Sequence, residues 1–70
     1  MKLSELLEVL DEYEYVNLLG IKGTPENCDN EFIYGGTTQG LSWKIFKDYS
    51  SKKISSVRVL TGELYIYVLL

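Results

Sequence analysis

The residue pattern with the clearest chemical meaning is Gly35-Gly36-Thr37-Thr38-Gln39-Gly40-Leu41-Ser42. A phosphate-binding loop reads G-x-x-x-x-G-K-[ST] between a strand and a helix. The glycines and Ser42 fit that spacing, but Leu41 stands where the lysine belongs. That lysine reaches the β- and γ-phosphates, so its absence removes nucleotide hydrolysis from the reading. A milder chemistry survives. Backbone N–H groups at a helix start bind anions without a lysine. Gly35, Gly36, Thr37, Thr38, Gly40, Ser42 and Lys44 could then hold a phosphate or a nucleotide. The plain alternative is a strand-to-helix turn that uses glycine for its backbone angles.

Other catalytic constellations are poorly supplied. The chain has no histidine and one cysteine, Cys28. A thiol nucleophile needs a base, and no imidazole is present to act as one. A structural zinc site would have a single thiolate, which argues against it. Glu8, Asp11 and Glu12 fall at i, i+3 and i+4 of a predicted helix. Two carboxylates share acid and base duties only where a cleft sets them apart, and an exposed helix face provides none. The sequence therefore reads as non-catalytic, with no cofactor and no metal.

Binding surfaces are better represented. Six of the nine aromatic residues are tyrosines. Arg58, Tyr65, Tyr67 and Leu69 are expected on one face of a C-terminal hairpin, with Arg58 beside Tyr65. Tyrosine and arginine are enriched at interface hot spots, and an arginine over a tyrosine ring gains a cation–π term. If the helices cover the opposite face, these residues meet solvent or a partner; if a helix covers them, they are core edge. Should Leu64–Leu70 be a sheet edge, it also invites strand pairing with another copy.

The elements that must position these groups follow from periodicity. Leu3, Leu6, Leu7 and Leu10 repeat at helical spacing, so a helix is predicted over 3–12 with Ser4 as N-cap and Glu5 in the first turn. Residues 13–19 turn aromatic and β-branched, as in a strand. Gly20–Asn30 carries Gly20, Gly23, Pro25, Asn27, Asp29 and Asn30 and reads as a long loop holding an exposed Cys28. Residues 31–34 form a short strand entering the glycine-rich loop. Ser42 then caps a helix over Trp43–Tyr49 with Leu41, Ile45 and Tyr49 on one stripe. Ile54–Leu60 and Glu63–Leu70 flank Thr61-Gly62, a two-residue turn. The preferred register pairs Val59 with Leu64, Val57 with Ile66, Arg58 with Tyr65, Ser56 with Tyr67 and Ile54 with Leu69. The order is α-β-β-α-β-β: an α+β domain with a four-stranded, mainly antiparallel sheet packed with two short helices.

Composition bounds the remaining possibilities. Seventy residues at 46% hydrophobic and 24% charged make one folded domain, not a disordered chain. Such a domain buries only about 60% of its unfolded surface. One cysteine gives no intrachain disulfide, so self-association into a homo-oligomer or close packing must supply the rest. No apolar run approaches the roughly 18 residues of a membrane span, and no secretory signal opens the chain, so a cytoplasmic location is expected. Residues 1–31 carry eight acids and two lysines, net −6; residues 32–70 carry five basic residues and two acids, net +3. The two halves neutralise each other across one fold, or present opposed patches to a partner. An overall charge of −3 weighs against nucleic-acid binding.

Lys2–Leu10, Ile33-Tyr34-Gly35-Gly36, Ile54–Val59, Gly62 and Leu64–Val68 together resemble small accessory proteins of phages and prophages of Gram-positive bacteria. The resemblance covers most of the chain through generic motifs. It implies a stoichiometric role inside a bacterial host: binding and inhibiting or modulating a host protein, including an immune or defence protein, or acting as an oligomeric sponge for a nucleotide signal. It assigns no functional residue.

Overall fold

The computed structural model describes the backbone of residues 1–24 and 27–70 and the side chains of 1–23 and 29–70. Element order is α1 (Leu3–Val9), β1 (Tyr15–Thr24), β2 (Asn27–Thr37), a 3-10 turn (Thr38–Gly40), α2 (Trp43–Tyr49), β3 (Ile54–Leu60) and β4 (Glu63–Leu69). This is the α-β-β-α-β-β order expected of an α+β domain. The sheet runs β2-β1-β4-β3. Its β1–β2 and β3–β4 ladders are antiparallel, and β1–β4 is parallel.

Both helices are seven residues long, too short to persist alone in water, so packing holds them. Leu3, Val16, Leu18, Ile66 and Val68 form the buried core, and Leu6, Leu7, Leu10, Ile33, Tyr34, Ile45, Tyr49, Ile54 and Leu64 pack around it. The core strand residues are alternate positions of β1 and β4 and therefore share one sheet face. Both leucine- and isoleucine-bearing helix stripes lie on that face. The body measures 35 × 28 × 19 Å, the shape of one sheet and one helical layer.

Several sequence expectations are corrected. The first helix ends at Val9, with Leu10 extended as its C-cap, not at residue 12. Its N-cap is Lys2, whose N–H donates to Glu5 Oε1 at 2.9 Å, and Ser4 lies inside the helix. The first strand begins at Tyr15 and continues to Thr24, so most of the expected loop over 20–30 is a β-hairpin. Gly20 is buried, and a Cβ there would strike the Leu70 side chain. The glycine thus marks close packing, not a loop. The exposure expected for Cys28 falls on a side chain outside the described residues.

The Trp43–Tyr49 helix is found with its cap: Ser42 Oγ accepts from the Ile45 N–H at 3.2 Å. The C-terminal hairpin has the preferred register at Val59↔Leu64, Arg58↔Tyr65, Val57↔Ile66 and Ser56↔Tyr67. Beyond a bulge between Ile54 and Ser56 the register slips, and Ile54 lies opposite Val68, not Leu69. β4 is an inner strand between β1 and β3, so the edge considered for Leu64–Leu70 belongs to β3.

Candidate functional site

Since α1 and α2 share one face of the sheet, the other face is bare. Register fixes its residues in rows across the strands. Arg58 lies opposite Tyr65, Tyr65 beside Asn17, and Asn17 opposite Gly35. The next row is Ser56, Tyr67, Leu19 and Phe32. A third joins Leu69, Ile21 and Asn30. Among the described residues no element lies over these rows, and none of their side chains is buried. Phe32 is 65% exposed and Leu69 47%. Leu19, Ile21, Tyr65 and Tyr67 are half-buried between them, so six apolar side chains share this face as one patch.

One polar contact is fixed on this face. Asn17 Nδ2 donates to Glu63 Oε1 at 3.3 Å, across β1 and β4. Phe32 folds over Gly35, where a Cβ would come within 2.9 Å of its Cζ. The missing side chain lets the ring lie along the sheet. Ile21, Asn30, Ser56, Arg58 and Tyr67 line a shallow hollow of 220 Å³. Arg58, Tyr65, Tyr67 and Leu69 are thus brought onto one surface. Leu19, Ile21 and Phe32 extend it; Ile21 lies within, and Leu19 beside, the span 20–30 whose glycines and asparagines read as a loop. Alternation of Tyr15, Asn17, Leu19 and Ile21 with Val16, Leu18 and Gly20 is the signal that could show Leu19 and Ile21.

The glycine-rich segment is arranged differently from a phosphate cradle. Gly35 and Gly36 are paired strand residues, opposite Asn17 and Val16. Alternation places them on opposite sheet faces. Tyr34 Oη donates to the Thr37 carbonyl at 2.7 Å and lies 2.7 Å from where Cβ atoms of Gly36 and Gly40 would stand. Thr38 Oγ1 donates to the Asp11 carbonyl at 2.7 Å, and Ser42 Oγ is held by its own helix. Lys44 is exposed on the short α2. The geometry does not gather these seven residues around one point.

The acidic trio is dispersed as well. Glu8 is on α1, while Asp11 and Glu12 lie beyond its end, and all three are exposed. Asp11 Oδ1 accepts the Tyr13 N–H at 2.8 Å, which makes it a turn residue. Among the described residues no three His, Cys, Asp or Glu side chains converge as a metal site would require. No described helix is long and apolar enough to cross a membrane. On the helical side, Leu7, Leu10, Leu41, Trp43 and Phe46 line an open groove of 410 Å³ rimmed by Glu12, Thr38 and Gln39. Trp43 and Phe46 stack there with ring centroids 5.8 Å apart. No protein-family model, curated protein or solved structure matches this chain.

Proposed function

We propose that this protein is a non-catalytic binding protein that engages another protein through the bare sheet face. One observation carries the reading. Both helices sit on one side, leaving Arg58, Tyr65, Tyr67 and Leu69 on the other, in register with Leu19, Ile21 and Phe32. Tyrosine and phenylalanine offer large contact areas at small entropic cost, and the arginine gives the patch an anchoring charge. In keeping with the resemblance to phage accessory proteins, the partner is a bacterial host protein whose activity is inhibited or modulated by occupancy of this surface.

The test is affinity capture from a host lysate with the wild-type chain and with Tyr67→Glu and Phe32→Glu. Each substitution puts a charge on the patch, Tyr67 on inner β4 and Phe32 on edge β2, without touching the buried core. A specific partner retained by wild type and by Glu8→Lys, but lost with either patch variant, supports the reading. Capture that survives both patch substitutions, or no partner at all, refutes it.

A further inference from the structure

The outer edge of β3 is a second surface, which meets the bare face at Arg58. We propose that it accepts an acidic extended segment of another protein as a fifth strand. Hydrogen-bond parity decides which groups of β3 face outward. A two-residue turn makes Leu60↔Glu63 the first hydrogen-bonded pair, followed by Arg58↔Tyr65 and Ser56↔Tyr67. The backbone N–H and C=O of Val57 and Val59 therefore point away from β4. Among the described residues no strand lies there. The edge is already used at its beginning: Ile54 N–H donates to the Met1 carbonyl at 2.9 Å, and Lys2 bridges Lys53 in antiparallel sense. The next stations, Val57 and Val59, remain open.

The two edges of the sheet differ in protection. β2 carries a bulge near its middle, the Gly35-Gly36 pair, and Asp29 and Glu31. Such devices blunt an edge against further pairing. β3 contains neither glycine nor proline, and its bulge lies at the end that Met1 and Lys2 cover. The side chains from Val57 to Leu60 are exposed, Val57 at 43% and Val59 at 67%.

Charge selects the occupant. Lys2, Lys53 and Arg58 are exposed at this edge, and none is ion-paired among the described residues. The acid of the adjacent ladder, Glu63, is engaged by Asn17. Arg58 belongs to the bare face, whereas Val57 and Val59 pair with Ile66 and Leu64 on the helical side. A fitting strand thus alternates carboxylates, facing Arg58, with β-branched residues, facing the two valines. A second copy fits less well. The twofold register that engages all four free backbone groups sets Val57 against Val59 of its mate and Arg58 directly against Arg58. Like charges directly opposite are destabilising.

The experiment is fluorescence anisotropy with a labelled peptide, Thr-Glu-Val-Glu-Val-Glu-Thr, and its lysine counterpart. Wild type should bind the acidic peptide saturably, at least tenfold more tightly than the basic one, and more weakly as salt rises. Val59→Pro should abolish binding and keep the wild-type circular dichroism spectrum, since it removes an outward N–H and no ladder bond. Arg58→Glu keeps the test decisive should the proline variant fail to fold: its preference should reverse toward the lysine peptide. Equal binding of the two peptides, no binding, or an unchanged preference in Arg58→Glu would overturn the proposal. So would a dimeric mass in light scattering that Val59→Pro converts to monomer, because the edge would then belong to a second copy.

Discussion

The backbone N–H of Ser4 donates to the carbonyl of Ser50 at 2.9 Å, joining the first turn of α1 to the segment that leaves α2. Beside it, Leu3 N–H donates to the Lys52 carbonyl at 2.9 Å. A helix start has donors without intrahelical partners, which side chains usually satisfy. Here a distant stretch of backbone does so. The start of α1 is a tertiary feature, whereas α2 carries a local cap in Ser42.

That difference predicts unequal effects for two chemically identical substitutions. Ser42→Ala removes the oxygen that accepts the Ile45 N–H and should cost about 1 kcal/mol. Ser4→Ala leaves its backbone bond intact and should stay within about 0.5 kcal/mol of wild type. Urea unfolding of both variants measures the contrast. Equal losses would mean that the Ser4 hydroxyl caps α1 after all.

The core predicts a similar contrast within one helix. Leu3 is fully buried, and Val9 is 76% exposed. Leu3→Ala should cost about 2–5 kcal/mol. The whole stability of a chain this long is of order 4–10 kcal/mol, so the variant should be partly unfolded at 37 °C. Val9→Ala should stay within about 0.5 kcal/mol, since alanine is also the better helix former. Thermal melts followed by circular dichroism separate the two; a comparable loss in Val9→Ala would place the helix stripe wrongly.

Local patterns were legible in the sequence, and non-local pairings were not. Alternation around Thr61-Gly62 gave the hairpin register from Ser56 to Leu60, because both strands and the turn are contiguous. The bulge at the start of β3 was hidden because nothing in Ile54-Ser55-Ser56 announces it. Gly20 and Gly23 suggest a loop, yet Gly20 is a buried strand residue with the side chain of Leu70, fifty residues away in sequence, lying over it. Gly35 likewise lies beside the Phe32 ring within a strand. Strand order was beyond local reasoning, since the parallel pairing of β1 with β4 joins the two halves of the chain. The bare face became visible only once both helices were placed on the same side.

The hairpin turn offers a stabilising substitution. Thr61 has φ 48° and Gly62 φ 80°, the pair of positive angles that a type I′ turn requires. A β-branched residue is strained there, while asparagine enters this region readily. Thr61→Asn should therefore raise stability by about 0.5–1 kcal/mol, a rise of several degrees in Tm for a domain of this size. Differential scanning calorimetry reads it directly. A lowered Tm would show that the Thr61 side chain makes a contact worth more than the strain.

Tyr34 and Gly36 are coupled through space. Tyr34 Oη donates to the Thr37 carbonyl and would lie 2.7 Å from a Cβ on Gly36, whose φ is +154°. Gly36→Ala meets two penalties, a backbone angle that side chains rarely adopt and a collision with the hydroxyl, and should cost about 1–3 kcal/mol. Tyr34→Phe loses one part-buried hydrogen bond and should cost about 0.5–1.5 kcal/mol. In the double variant the colliding oxygen is gone while the backbone strain persists. Its loss should fall short of the sum of the single losses by more than about 0.5 kcal/mol, the usual scatter for independent sites. Urea midpoints of the four proteins complete the cycle. Strict additivity would mean that the hydroxyl does not occupy the space above Gly36, and that this glycine is required for its backbone angle alone.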